Sequence, residues 1–302
     1  MRNAFIDELC TLAEEFPHVA LVVGDLGFSV IEPFAERFPD RFFNAGVAEQ
    51  NMAGLAAGMA SEGFHVFTYS IANFPTFRCA EQIRNDIAYH QLPVTTVAVG
   101  GGLAYGALGY SHHAVQDYAL MRCMPNMLIA APGDPMEVRA CMRYLIENPQ
   151  PSYLRLGKAG EPTFRAASIK PMPGQWLSME TGQAKAGRRS AILTTGATLE
   201  MAVKARQEIA RYADHALFSL PLWGMGSKQD QLDQCRQFDE IVTVEDHLHD
   251  GGFGSWLAEA LIRYAPDIPT LRNISLSPSV CGEVGSQEFL NRSGGLVFGN
   301  AD

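Results

Sequence analysis

The residues that could do chemistry here are a carboxylate at a helix start, two phenylalanines astride a proline, and two histidines closing a glycine-rich loop. Glu49 lies in Asn44-Ala-Gly-Val-Ala-Glu-Gln-Asn-Met52, where a strand end meets a helix start. In its plainest role a carboxylate there favours the positive end of the helix dipole, and such glutamates are common. Phe74 and Phe77 follow a strand end across Pro75. They either pack into a core or offer an aromatic face to a planar ligand. The run Gly100-Gly-Gly-Leu-Ala-Tyr-Gly-Ala-Leu-Gly-Tyr-Ser-His-His113 brings backbone close to whatever it encloses. It matches neither G-x-G-x-x-G nor a P-loop, so a mononucleotide site is unsupported. His112 and His113, at the end of such a loop, suit a proton donor or a hydrogen-bond partner better than an isolated core histidine does.

Elements that could position these side chains are legible as periodicity. Residues 2–16 carry Phe5, Leu9, Leu12 and Phe16 at helical spacing. Short apolar runs at 19–23, 64–69, 94–99, 127–131 and 152–156 read as buried strands. Residues 48–62, 77–89, 115–123 and 137–147 read as the helices between them. Strands alternating with helices predict an α/β layer with a mainly parallel sheet. Residues 161–189, with Pro162, Pro171 and Pro173 and little periodicity, read as a linker. A second alternation follows, with strands at 191–195, 216–220, 241–244 and 270–274 and helices at 199–212 and 256–264. The prediction is two three-layer α/β domains. In open α/β sheets ligands sit outside the carboxyl ends of strands, which directs attention to loops 24–29, 44–51, 70–77 and 100–113.

The composition sets the bounds. The chain has 302 residues, 23 Lys plus Arg against 33 Asp plus Glu, a net charge of −10, and 47% apolar residues. That is too apolar for a disordered chain and too acidic to bind nucleic acid through its overall field. The length suits two cores. Six cysteines form no C-x-x-C pair and no zinc spacing, and read as reduced thiols. The first residues show no basic region followed by an apolar stretch, so no signal peptide, no membrane span and a cytoplasmic location are expected.

Taken in order, these segments resemble the carboxyl-terminal half of transketolases. The likeness runs through 43–52, 77–84, the glycine loop, 125–135, 151–158 and 244–254, and so spans nearly the whole chain. Gly46-Val-Ala-Glu-Gln-Asn51 is its most specific piece. Deoxyxylulose-phosphate synthase carries a similar motif, and the β subunits of 2-oxo acid dehydrogenases a looser one. The resemblance implies a pyrimidine-binding domain at 1–160, a linker at 161–189 and a transketolase C-terminal-like domain, used in dimer contact, at 190–302. It implies thiamine diphosphate as cofactor, with Glu49 hydrogen-bonded to N1′ of its aminopyrimidine. That bond favours the imino tautomer that takes up the proton of thiazolium C2. It further implies an aromatic stacked on the pyrimidine, Phe74 or alternatively Phe77. Asp25 falls on the cofactor side, while His112 and Ser29 meet the substrate. Arg2 and Lys158 align with residues that grip a substrate phosphate, and Lys lacks the bidentate geometry of Arg. His247 and His249, in the family's signature loop, read as structural rather than metal-binding.

In this family the diphosphate and Mg2+ are held on a separate domain marked by Gly-Asp-Gly, and no Gly-Asp-Gly occurs in this chain. The expectation is therefore one subunit of a split transketolase, with a second polypeptide supplying that domain in an α2β2 assembly. Two departures bear on the substrate. Pentose-phosphate transketolases place His where Gly100 stands and Asp where Leu108 stands. Both bind substrate hydroxyls, so a modified or less hydroxylated sugar is expected. The competing readings are a deoxyxylulose-phosphate-synthase-like or dehydrogenase β-like subunit, and a non-catalytic regulatory half.

Overall fold

The computed structural model describes residues 1–165, 168–185, 187–264 and 269–299. Twelve strands among them form two sheets. The first contains β1 (Val19–Val23), β2 (Phe42–Asn44), β3 (His65–Ile71), β4 (Val94–Val99), β5 (Leu128–Ala130), β6 (Ser152–Leu156) and β10 (Leu222–Gly224). Its order is β10-β5-β6-β4-β3-β1-β2, parallel throughout except for β10. The second contains β7 (Leu177–Glu180), β8 (Ser190–Thr194), β9 (Ala216–Ser219), β11 (Glu240–Leu248) and β12 (Thr270–Leu276), in the order β12-β11-β8-β9-β7. Only β7 runs antiparallel there. The continuous apolar runs are explained by burial: every residue of β1, β4 and β6 is shielded, as a parallel sheet covered on both faces requires.

The expected strands are all present within a few residues. Three short ones were not anticipated. Phe42–Asn44 adds an edge beside β1, Leu177–Glu180 lies inside the stretch read as a linker, and Leu222–Gly224 leaves the second half of the chain to close the edge of the first sheet. The expected helix at 77–89 is instead broken into Phe74–Phe77, Ala80–Gln82 and a π-helical stretch, Ile83–Ala88. Among the described residues no helix is long and apolar enough to cross a membrane.

Chain order and spatial order part company around β1. From β1 the chain moves outward to β2, then returns through the helix Glu49–Ser61 to β3 on the other side of β1. Crossovers therefore leave the sheet in opposite directions around β1, which makes the carboxyl ends of β1 and β3 a topological switch point. The loops at that edge are pinned across strands. Gly24 donates to the Tyr69 carbonyl, Ala72 to that of Val99, and Gly100 and Gly101 both to that of Leu156.

The two sheets meet over buried charge. Arg155, on β6 and 2% exposed, donates through Nε to Asp117 Oδ2 at 2.6 Å and through Nη1 to Asp246 on β11. Tyr153 donates to the same Asp117 oxygen at 2.6 Å, and the Arg155 guanidinium lies 4.3 Å from the centre of the Tyr118 ring. Around it Tyr118, Trp223, Phe253 and Trp256 pack with ring centres 5.2–5.7 Å apart. Removing the cation strands two buried carboxylates. Arg155→Ala is expected to cost about 3–5 kcal/mol, read as a lowered urea midpoint at unchanged m-value.

Candidate functional site

The switch-point edge collects nearly all the residues singled out above. Asp25 follows β1, Glu49 lies beyond β2, Phe74 and Phe77 follow β3, His112 closes the loop after β4, and Lys158 follows β6. Arg2 reaches the same edge from elsewhere. The helix Arg2–Glu15 turns tightly into β1, so its first residue lies at the end of the sheet where β1 finishes.

The first loop is held in an unusual shape. Asp25 and Ser29 both adopt positive φ, +55° and +65°, although neither is glycine. Asn44 compensates: its Nδ2 donates to Asp25 Oδ1 at 3.0 Å, and its Oδ1 accepts from the backbone N–H of Asp25 and of Gly46. The Ser29 N–H donates to Glu32 Oε1 at 2.7 Å. Asn44 thus ties the loops after β1 and β2 together immediately before Glu49.

Glu49 opens the helix Glu49–Ser61 and is only 4% exposed. Gly24 lies against its methylene groups and against Met52, since a Cβ at Gly24 would stand 3.5 Å from Glu49 Cγ and from the Met52 sulfur. Its carboxylate is partnered by Arg78, whose Nη1 donates to Oε1 at 3.2 Å and Oε2 at 3.1 Å. The same guanidinium lies 4.3 Å from the centre of the Phe74 ring. Arg78 was not among the residues picked out from the sequence. Its signal was available, because a cation four residues beyond an aromatic on a short helix can fold back over that ring.

Phe74 and Phe77 separate. Phe74 is half-buried, between Arg78 and His112, the latter edge-on at 5.2 Å. Phe77 is exposed, although it and Phe74 both line, with Arg78, Tyr110 and Ser111, one cleft of about 350 Å³. Asn73 secures the histidine loop, donating through Nδ2 to the carbonyls of Ser111 and His113. Burial, then the adjacent His113 and the Arg78 guanidinium, hold the His112 imidazole below the usual histidine pKa. It is therefore neutral near pH 7. Its Nδ1 is hydrogen-bonded to Ser111 Oγ at 3.0 Å.

Lys158 and Arg2 lie at the other side of the same edge, around two tyrosines. Lys158 Nζ stands 5.1 Å from the centre of the Tyr105 ring. Burial raises the pKa of the Tyr69 phenol, the Arg2 guanidinium opposes that shift, and Tyr105 adds to it, so these three groups share one neighbourhood. Arg2 Nε is buried without a hydrogen-bond partner. Tyr105 also explains a departure noted in the sequence. Gly100 has φ +81°, and a Cβ there would fall 2.1 Å from the Tyr105 ring. Ring 105 occupies the space of a side chain at 100. Leu108 is exposed at the rim. The histidines of the second half are engaged elsewhere: His247 Nδ1 donates to the Leu248 carbonyl at 2.7 Å, its ring stacks on Tyr118, and His249 meets Asn273.

This geometry defines an α/β protein with a shielded carboxylate, a half-buried aromatic face and a neutral histidine gathered at a switch point. The family described as the transketolase pyrimidine-binding domain matches residues 1–160. A putative transketolase C-terminal section from Methanocaldococcus jannaschii is 33% identical over 265 residues, covering 86% of this chain and 81% of that one. One subunit of an apulose-4-phosphate transketolase from Phocaeicola vulgatus is 32% identical over 265 residues, covering 86% and 83%. A solved split-gene transketolase described as an inactive β4 tetramer superposes with a TM-score of 0.83 at 30% identity, covering 98% of this chain and 93% of that chain. The chain belongs to the transketolase family.

The exclusion between positions 100 and 105 can be measured. Gly100→Ala should destabilise the fold by about 2–4 kcal/mol through positive-φ strain and overlap with the ring. In a Tyr105→Ala background the same change should cost about 1–2 kcal/mol less, seen as the interaction energy of a double-mutant cycle in chemical unfolding.

Proposed function

We propose that this chain is one subunit of a split, thiamine-diphosphate-dependent transketolase, transferring a two-carbon ketol unit from a ketose donor to an aldehyde acceptor. The observation that carries the reading is the Glu49 carboxylate, shielded from water yet open on one side to a planar hydrogen-bond donor that also lies over Phe74. A guanidinium fills that place here. An aminopyrimidine ring offers the same combination of flat face and in-plane nitrogen, so the residues present fit the cofactor. Likeness to chains named as a section or as one subunit of a transketolase, over most of both lengths, supports a divided enzyme. The second polypeptide would bring the diphosphate and Mg2+ site, most simply in an α2β2 complex.

When bound, thiamine diphosphate supplies the carbon nucleophile that carries the two-carbon unit. Glu49 would share a proton with the pyrimidine N1′ position, and the apolar wall of Gly24 and Met52 would keep water from competing for it. Phe74 supports the ring, with Phe77 at the outer rim. Asp25, fixed by Asn44, borders the cofactor side. His112 is neutral with Nδ1 engaged by Ser111, which leaves Nε2 to hydrogen-bond a substrate oxygen near the reacting carbon. Ser29 adds a substrate contact, and Arg2 and Lys158 supply positive charge for a phosphorylated end. Tyr105 over Gly100 and exposed Leu108 replace two hydroxyl-binding side chains, which favours a modified or less hydroxylated sugar.

The test is reconstitution with the second polypeptide and Glu49→Ala. Turnover of a ketose phosphate with an aldehyde should fall at least ~100-fold, the scale of losing a proton-transfer partner. Wild-type turnover in that variant, or decarboxylation of pyruvate in place of ketol transfer, would overturn the assignment.

A further inference from the structure

Arg78 is the one cation in contact with Glu49 among the described residues, and nothing in the functional reading above assigns it a role. Its guanidinium is planar, lies on the Phe74 ring at 4.3 Å and donates to both Glu49 oxygens. Those are the two contacts the proposed function asks an aminopyrimidine to make. Both groups cannot hold them together. The face of Phe74 takes one planar layer, and the two carboxylate oxygens already share one guanidinium nitrogen.

We infer that Arg78 is the resident occupant of the pyrimidine site in the free subunit, and that thiamine diphosphate enters by displacing it. The inference rests on the reading of Glu49 and Phe74 as cofactor ligands. Three further observations support it. The side chain is half exposed, 51%, so it is free to leave, while its partner is not. Arg78 lines two open clefts. One of about 450 Å³ runs over Glu49 with Val47, Ala48, Gln50 and Asn51, and the other is the cleft beside Phe77 and Tyr110. A swing from the first to the second uncovers the carboxylate and keeps the cation beside aromatic rings. Finally, a shielded carboxylate left alone is costly, so a stand-in cation keeps the empty site in its working shape until the cofactor arrives. Apparent cofactor affinity is then lowered by the fraction of sites in which Arg78 blocks the ring.

The consequence is a pair of effects of opposite sign, which a merely structural arginine would not produce. In the reconstituted two-subunit complex with Mg2+, titration calorimetry should show Arg78→Ala binding thiamine diphosphate tighter than wild type, by about threefold to tenfold. The free Arg78→Ala chain should melt at a lower temperature than wild type. Arg78→Lys, which keeps the charge without the planar stack, should bind with intermediate affinity and melt near wild type, and it reads the same quantity if the alanine variant fails to fold. Unchanged or weaker cofactor binding in either variant overturns the inference and makes Arg78 a permanent part of the site. Loss of the functional reading looks different: the wild-type complex would not bind thiamine diphosphate, or Glu49→Ala would bind and turn over as wild type does.

Discussion

Arg155 is the constraint on which the arrangement depends. A guanidinium this deeply buried is tolerable only with its donors satisfied, and its acceptors are Asp117 and the Tyr118 hydroxyl on one helix, Asp246 on the second sheet, and the carbonyl of Ala114 at the foot of the histidine loop. The glycine loop is shaped to let this happen. A Cβ at Gly101 would meet the Arg155 guanidinium at 2.5 Å, and one at Gly102 would meet Asp246 Oδ2 at 2.4 Å. The loop glycines are therefore explained by the charge beneath them as much as by any ligand above. One ion cluster joins the sheets and seats the loop that carries His112.

A second balance governs the carboxylate. Glu49 is shielded from water, and a shielded carboxylate without a partner is costly. Arg78 pairs that carboxylate through a long, half-exposed side chain rather than as a deeply fixed cation. The contrast with Arg155 is physical. Both guanidinium groups lie 4.3 Å from an aromatic ring centre and bind carboxylates, but one is sealed on every side and the other faces two open clefts.

The sequence made the buried parallel strands plain because they are short, wholly apolar and bounded by Gly, Pro or Asp. It was less informative wherever three residues sufficed. Phe42–Asn44 and Leu222–Gly224 are too short to show a period, and β10 joins the first sheet from far along the chain, so no local pattern signals it. The helix at 77–89 has the right apolar spacing, but the tight turn at Phe74–Phe77 and the π-helical stretch shift its register. Glu49, Phe74, Phe77 and His112 could be singled out because a motif of several residues surrounds each, and the fold brings them to one edge. Arg78, Tyr105, Asn44 and Arg155 were not. Arg78, Asn44 and Arg155 matter through partners distant in sequence, and Tyr105 through a fold-back onto Gly100 that no periodicity signals; a lone Arg inside Ser152-Tyr-Leu-Arg-Leu156 gains its meaning only when Asp117 and Asp246 are seen beside it.

Tyr105 shows how one side chain decides what a neighbouring position can hold. Position 100 has positive φ and follows directly on β4, so glycine suits its backbone whatever the ligand. Filling the vacated space with a phenol from five residues downstream keeps the wall packed. It also presents an aromatic face at that wall, against which Lys158 rests its ammonium. Position 100 cannot take a side chain while ring 105 stays. A single substitution at position 100 therefore tests stability before anything else.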